Sequence, residues 1–559
     1  MSTNSLYLRF LACVTEEDLR EELLSISDSE SEIADRFGEE LSFGTAGLRG
    51  ILGVGTNRMN VYTVARATRG VFDVIAPKKR GDAATFVVGY DTRINSDLFA
   101  RRTAEVLSSC GARVYLAPAP IPVPLVSFVT RALSADAGIC ITASHNPAAY
   151  NGYKVFDSTG SQLLEEDALA VSRAAGKHDY FETVSGAGGE ILPIPDAVFD
   201  SYFAALKARF EPAEDNLSVV YTPLCGTGLR FVPRALSEAG FSDVRLVKEQ
   251  AKHDGRFPTC EKPNPEVRES LALATALAKE CSADLFLATD PDCDRVGVGV
   301  KCADGYRLLT GNETGLLLMD YLLKCKRREG TLSPETFVCT TIVSAQMADA
   351  VAADFGITLC RTLTGFKYIG EQIGLLERAG KTRDFLFGFE ESYGCLASTD
   401  VRDKDACEAC VLVCRMASEY QREGKSLIDA LAELSARYGI YDSLLKNYEF
   451  KDALAAEKSR NTLSFLRENP PKELAGFAVT EVMDAKARTV VKADGTLLPL
   501  DLPKADVLAF SAGSTARVMM RPSGTEPKVK LYLFAHADTE EEVQTILSRL
   551  SAYADDLFL

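Results

Sequence analysis

The sequence predicts an α/β protein: three related α/β domains with mixed sheets, followed by a smaller C-terminal α+β domain. Three observations carry this expectation. A pattern of apolar strand, polar or glycine-bearing turn, helix, glycine and second strand recurs three times. At 559 residues and 46% hydrophobic, the chain is long enough to bury several cores. Beyond residue 442 the pattern gives way to a charged stretch around 451–471 and to strands followed by one closing helix.

In the first copy a strand over 86–90 meets Asp91-Thr92-Arg93, then a helix through 102–107, then Gly111 and a strand over 113–115. The second has a strand over 217–221, the turn Cys225-Gly226-Thr227-Gly228, a helix through Ala235, Gly240 and a strand over 244–246. The third has a strand over 337–341, a helix over 347–355, Gly356 and a strand over 357–359. Apolar strands alternating with helices build sheets covered on both faces. Further apolar runs at 137–141, 285–289, 296–300 and 385–389 read as additional strands, and the last domain offers strands at 477–480 and 528–532 and a helix over 540–550. Helices at 198–203 and 427–438 and the pair Thr310-Gly311 mark the borders, giving domains at 1–205, 206–312, 313–442 and 443–559.

The formal net charge of −17 argues against general binding to nucleic acid or anionic membranes, so an anionic ligand must be captured by a local basic cluster. The short apolar start runs straight into Glu16-Glu17-Asp18, unlike a cleavable leader, and no apolar stretch is long enough to span a bilayer. Fifteen cysteines scattered without paired spacing are those expected of free thiols in a reducing compartment, and the cytoplasm is the expected location. Cys407, Cys410 and Cys414 have a cluster-like spacing, but their surroundings have helical periodicity that puts all three on one core-facing side.

The chemistry begins at Thr142-Ala143-Ser144-His145-Asn146-Pro147, where the strand over 137–141 stops and Asn146-Pro147 imposes a turn. Ser144 is thereby presented at a strand end, where a hydroxyl with activating surroundings can carry a transferable group. Between the strands at 285–289 and 296–300 lies Asp290-Pro291-Asp292-Cys293-Asp294-Arg295. Acids at alternate positions of an extended loop converge on one hard cation, and oxygen-only ligands suit Mg²⁺. An EF-hand is excluded by Arg295 and Lys301, which stand where that loop needs glycine and glutamate.

Arg521-Pro522-Ser523-Gly524-Thr525 combines a guanidinium, two hydroxyls and a glycine in the manner of a phosphate cradle. The segments 44–50, 151–154 and 364–367 each join glycine to a base and read as shorter hooks in turns. Glu390-Glu391-Ser392 follows the strand at 385–389 and offers acceptors for vicinal sugar hydroxyls, or alternatively an acidic helix N-terminus. Each segment alone also fits an ordinary turn. Their coincidence with Ser144 and the acidic loop favours a phosphate-binding site over a set of unrelated turns.

Taken in order, the serine loop at Ser144, the Asp-x-Asp-x-Asp loop at Asp290, Asp292 and Asp294, the Glu-Glu-Ser loop at 390–392 and the Arg-Pro-Ser-Gly-Thr loop at 521–525 resemble those of the α-D-phosphohexomutase family. Segments 43–50, 57–60 and 362–367 are similar to its longer subgroup, which includes phosphoglucomutases, phosphopentomutases and glucose-1,6-bisphosphate synthases. The resemblance implies four domains around a central cleft, an active form phosphorylated on Ser144, and one Mg²⁺ held by Asp290, Asp292, Asp294 and a Ser144 phosphate oxygen. It further implies Arg49, Lys154 and His145 as candidates for charge stabilisation and proton shuttling. Arg521, Ser523, Gly524 and Thr525 would anchor the phosphate that is not reacting, Glu390 and Ser392 would hold sugar hydroxyls, and Thr45, Arg295, Thr364, Gly365 and Lys367 would complete the substrate site.

The activity so implied is reversible interconversion of glucose 1-phosphate and glucose 6-phosphate, with glucose 1,6-bisphosphate as intermediate and activator, by a monomer or dimer whose partner is a small sugar phosphate. Mannose or pentose phosphate substrates and bisphosphate synthesis are alternatives within the same chemistry. A non-enzymatic sugar-phosphate sensor would need neither the serine nor the acids.

Overall fold

The computed structural model describes residues 2–41, 43–44, 47–182, 188–209, 217–450, 453–522 and 528–558. The chain divides into two compact units, residues 1–314 with 366–424, and residues 315–365 with 425–559.

The first unit contains two mixed sheets of the same design. In the first, β1 (Leu48–Ile51), β2 (Thr85–Tyr90), β3 (Arg113–Leu116), β4 (Ala137–Ile141), β5 (Tyr150–Asp157) and β6 (Ile191–Pro193) lie in the order β1-β5-β4-β2-β3-β6. Strands β4, β2, β3 and β6 are parallel, and β5 returns antiparallel to both β4 and β1. In the second, β7 (Val219–Thr222), β8 (Val244–Leu246), β9 (Leu285–Thr289), β10 (Val296–Cys302) and β11 (Gly305–Leu309) lie in the order β11-β10-β9-β7-β8. Again three strands are parallel and the one after the central run turns back. The helices Ser96–Ser109 and Gly228–Glu238 supply the parallel crossovers. A third return of this kind, from strand Phe385–Phe389 to Cys395–Leu396, belongs to the same unit.

Strands β4 and β9 are buried at every position because helices and loops cover both faces. Their ends are therefore rigid platforms for the loops that follow. The first sheet also packs against three N-terminal helices, Thr3–Cys13, Glu17–Ser25 and Glu30–Phe37, through Tyr7, Phe10, Leu23 and Phe37. Cys407, Cys410 and Cys414 are all buried on the helix Ala406–Arg422, as their spacing requires.

In the second unit Phe337–Thr341 and Thr358–Thr362 pair in parallel around the helix Met347–Phe355. A seven-stranded sheet follows, in the order Ile440–Glu449, Lys528–Ala537, Ala516–Pro522, Leu508–Ala512, Glu481–Asp484, Thr489–Lys492, Leu497–Pro499, with every pairing antiparallel. The helix Glu540–Phe558 closes its core, so the α+β expectation for this end of the chain is met. The strand expected at 477–480 is shorter: only Phe477–Ala478 pairs, across a turn with Ala475 and Gly476 in the left-handed region, and with Glu473–Leu474 rather than the large sheet. Among the described residues no helix is long and apolar enough to cross a membrane.

Candidate active site

Ser144 lies three residues beyond the end of β4 and is buried, with φ at 51°, a left-handed conformation that a serine holds only when its surroundings enforce it. Thr142 and Asp290 provide part of that enforcement. The Ser144 N–H donates to Thr142 Oγ1 at 2.9 Å, and the Ser144 hydroxyl donates to Asp290 Oδ2 at 2.8 Å. Thr142 in turn donates to Asp292 Oδ2 at 3.1 Å, so one hydroxyl ties the serine loop to the acidic loop. His145 Nδ1 stands 3.2 Å from Ser144 Oγ, and Arg49 donates to Asn146 Oδ1 at 3.0 Å.

The segments 44–50 and 151–154 read as turns in the sequence, and here the structure differs. Arg49 sits within β1 and Lys154 within β5, paired in a register that sets Leu48 opposite Tyr153 and Arg49 opposite Gly152. The physical reason is close packing between three strands: a Cβ on Gly152 would stand 2.4 Å from the Thr142 carbonyl and 2.7 Å from that of Leu48. Glycine serves strand approach here, and the strand aims Lys154 at the acids. Lys154 Nζ donates to Asp292 Oδ2 at 2.9 Å and lies 3.3 Å from Asp294 Oδ2.

The acidic loop follows β9. Asp290 Oδ1 accepts the backbone N–H groups of Asp294 and Arg295, each at 3.1 Å, which curls the loop so that ligand oxygens of Asp290, Asp292 and Asp294 lie within 4.8 Å of one another. All three carboxylates are buried, and Asp292 Oδ1 and Asp294 Oδ1 have no hydrogen-bond partner. A buried carboxylate oxygen without a donor is costly, and an all-oxygen cluster of three acids is the donor set of a hard divalent cation. The cluster is a metal-binding site by this test.

Lys404, absent from the sequence expectations, completes the charge balance: its Nζ lies 3.2 Å from Asp294 Oδ2 and 3.1 Å from Asp403 Oδ1. Its path runs over Gly394, where a Cβ would collide with the lysine stem at 2.0 Å. Gly394 thus belongs to the site because it has no side chain. Ser392 donates to Glu390 Oε1 at 2.8 Å in a turn, so the helix N-terminus alternative for this segment is ruled out. Arg295 donates to Glu266 at 2.7 Å, with its Nε 3.8 Å from Asp294 Oδ1.

Burial, with Asp292 and Asp294 close by, pushes Asp290 well above the usual carboxylate range. Asp294 is equally buried, yet Lys404, Lys154 and Arg295 hold it below that range. Burial alone would lower Lys154, but Asp292 and Asp294 carry it above its ordinary value and keep it cationic. His145 is driven down to about 2 by burial and then by Arg295 and Arg49, so it stands neutral.

The first unit therefore gathers Ser144, His145, Arg49, Lys154, Asp290, Asp292, Asp294 and Arg295, with Glu390 close enough to act electrostatically on Arg295. Lys367 belongs to this unit too, buried at the start of the helix Phe366–Arg378 with its Nζ 3.9 Å from Glu165. Thr364, Gly365 and Arg521 belong to the second unit. Thr45, Ser523, Gly524 and Thr525 lie outside the described residues. Besides Lys404, sequence reasoning assigns no role to Thr142 or Arg93. The alternating charges of Asp403-Lys404-Asp405 are the available signal for the lysine.

A hydroxyl on a rigid strand end, hydrogen-bonded to a buried three-carboxylate cation site and flanked by lysine and arginine, defines a phosphoryl-transfer centre. Similarity to known proteins makes that class specific. The four domains described for phosphoglucomutase/phosphomannomutase match in order: alpha/beta/alpha domain I at residues 40–181, domain II at 200–305, domain III at 310–438 and the C-terminal domain at 467–552. The chain belongs to the phosphoglucomutase/phosphomannomutase family.

Among its relatives, a phosphoglucomutase of Staphylococcus haemolyticus is 37% identical over 519 residues, covering 91% of this chain and 92% of that protein. One from Staphylococcus epidermidis is 34% identical, over 94% of this chain and 96% of its own length. In fold the chain is similar to the crystal structure of a putative phosphomannomutase from Thermus thermophilus, with a TM-score of 0.69 and 22% identity over 92% of this chain and 99% of that one.

Proposed function

We propose that this protein is a phosphoglucomutase, interconverting glucose 1-phosphate and glucose 6-phosphate in the cytoplasm through a phosphoserine at Ser144. One observation carries the reading: the Ser144 hydroxyl donates at 2.8 Å to a member of the buried three-carboxylate cluster. The family membership and the relatives at 34–37% identity support the choice of glucose.

In this reading the bond between Ser144 Oγ and phosphorus breaks as a bond forms from phosphorus to the free hydroxyl of the sugar monophosphate, whose proton is passed on to the departing Ser144 Oγ. Glucose 1,6-bisphosphate results. After it reorients, its other phosphoryl passes to Ser144 Oγ and the second monophosphate departs. Lys154 and Lys404, both cationic beside Asp294, balance charge at the transferring group, and His145 is placed to exchange a proton with the serine oxygen. Asp290, Asp292, Asp294 and Ser144 would hold Mg²⁺, which when bound offsets negative charge on the phosphoryl oxygens. Glu390 and Ser392 would grip sugar hydroxyls, and Arg521 with Ser523, Gly524 and Thr525 would anchor the remote phosphate, with Thr45, Arg295, Thr364, Gly365 and Lys367 completing recognition.

The test is a coupled assay of glucose, mannose and ribose 1-phosphates with catalytic glucose 1,6-bisphosphate and Mg²⁺, comparing wild type with Ser144→Ala. Turnover of glucose 1-phosphate is expected, and its loss by roughly 10³-fold or more in the variant. Equal turnover by both proteins removes Ser144 from the mechanism. Faster turnover of ribose or mannose 1-phosphate reassigns the substrate.

A further inference from the structure

The reactive loop has an unusual support. Residues 142–149 link β4 to β5, and the carbonyls of Ser144, Asn146 and Pro147 lie in this link, outside the strand pairings. One side chain collects them. Arg93 Nη2 donates to the carbonyls of Ser144, at 2.6 Å, and Asn146, and Nη1 donates to those of Pro147, at 2.9 Å, and Tyr150, at 3.0 Å.

The Arg93 side chain is fully buried, and its charge is met by Asp91, likewise buried, at 3.4 Å. Asp91 is itself held by the Ser96 hydroxyl at 2.6 Å and by the Arg93 N–H at 2.9 Å. On its other side the guanidinium lies 5.0 Å from the centre of the Phe257 ring, and Arg93 bridges in parallel to Gly255 of the same segment. A planar fork with several donors at fixed angles suits this task, whereas a lysine ammonium cannot reach four carbonyls at once.

We propose that Arg93 is the positioning residue of the phosphoryl-carrying loop: by gripping its carbonyls it holds Ser144 in the left-handed conformation and aims Oγ at the acidic cluster, without touching substrate. The proposal rests on the reading of Ser144 as phosphoryl carrier. A loop that loosens by an ångström loses near-attack geometry while the sugar's own contacts stay intact, so the loss falls on turnover and not on binding.

The experiment uses the full-length enzyme carrying Arg93→Lys, which keeps a cation beside Asp91 and removes the fork. The expected result is a fall in kcat for glucose 1-phosphate of about 100-fold, with KM within about twofold of wild type. Hydrogen exchange of the backbone amides within 142–150 should accelerate while β2 and β9 exchange as before. If Arg93→Lys does not fold, Phe257→Leu decides, with an expected fall in kcat of about fivefold at unchanged KM. Wild-type turnover in the variant that folds, a raised KM at constant kcat, or unaltered exchange at 142–150 would overturn the proposal. A wild type inactive on every sugar phosphate, with exchange at 142–150 still faster in Arg93→Lys, overturns the mutase reading and upholds the role of Arg93.

Discussion

The loops after β4 and after β9 begin alike and are secured differently. Each leaves a fully buried parallel strand, contains one left-handed non-glycine residue (Ser144 or Cys293), and returns antiparallel. The serine loop gathers four carbonyls onto the single guanidinium of Arg93. The acidic loop is fastened by backbone donors from three separate segments: Val123 to Asp292 at 2.9 Å, Thr227 to Pro291 at 2.8 Å and Ala406 to Cys293 at 3.3 Å. A loop that holds a cation needs oxygens that do not move, and many backbone bonds provide that redundancy. The serine loop also has a backbone tie, the Leu52 N–H to the Ala149 carbonyl at 2.8 Å, and a side-chain one from Arg49 to Asn146, so Arg93 is the main support at 144–147 and not the sole one. The strand Phe385–Phe389 repeats the device with Tyr393 as its left-handed residue, and there the loop carries Glu390 and Ser392.

This contrast is sharpened first by Asp292→Asn. Removing one carboxylate charge weakens the cation site and leaves Lys154 with Asp294 alone, so activity should fall by roughly 10³-fold, with a raised Mg²⁺ requirement in an activity titration. Thr142→Val cuts the one hydroxyl joining the two loops. It deprives the Ser144 N–H of its partner, and kcat should drop by about 10- to 100-fold, measured at saturating Mg²⁺ and substrate.

A smaller effect is expected away from both loops, at Glu408. Burial, and then Asp405, push its carboxyl up to about 7 against the pull of Arg209. The folded protein then keeps a proton that the unfolded chain, at the ordinary value near 4.5, releases. The associated stability is complete below about pH 4.5 and is lost as pH rises through 7. Glu408→Gln should flatten that decline in denaturant midpoints taken from pH 5 to 8, and an unchanged slope would contradict it. Smallest of all, Thr227→Val removes only the hydroxyl bond to the Pro291 carbonyl, at 2.9 Å, and leaves the backbone one. It should cost about 1 kcal/mol of stability and leave kcat within about threefold, and a larger loss would show that the acidic loop is not redundantly held.

Much of this arrangement is legible in the chain. Alternating apolar strands and helices announce the mixed sheets, and Asn146-Pro147 and the spaced acids mark the strand-end loops, because buried strands need long apolar runs and loops need turn residues. Arg49 and Lys154 stand out as bases but read as parts of turns, since a glycine beside a base looks the same whether it permits a turn or a close strand contact. Lys404 and Arg93 stay hidden for a different reason. Their partners Asp294 and Ser144 lie over a hundred and about fifty residues away in sequence, and the local charges beside them, Asp403 and Asp91, do not say which distant groups they meet.

From residue order alone come the class of chemistry, the hydroxyl and acids proposed to carry it, and the strands that present them, since these depend on side-chain type and short-range periodicity. Folding in three dimensions settles the rest: that Asp290 meets Ser144, that Lys154 and Lys404 share Asp294, and that Arg93 gathers a distant loop. Such pairings arise when sheets and crossovers bring remote segments together, where burial gives each charge and hydrogen bond its weight.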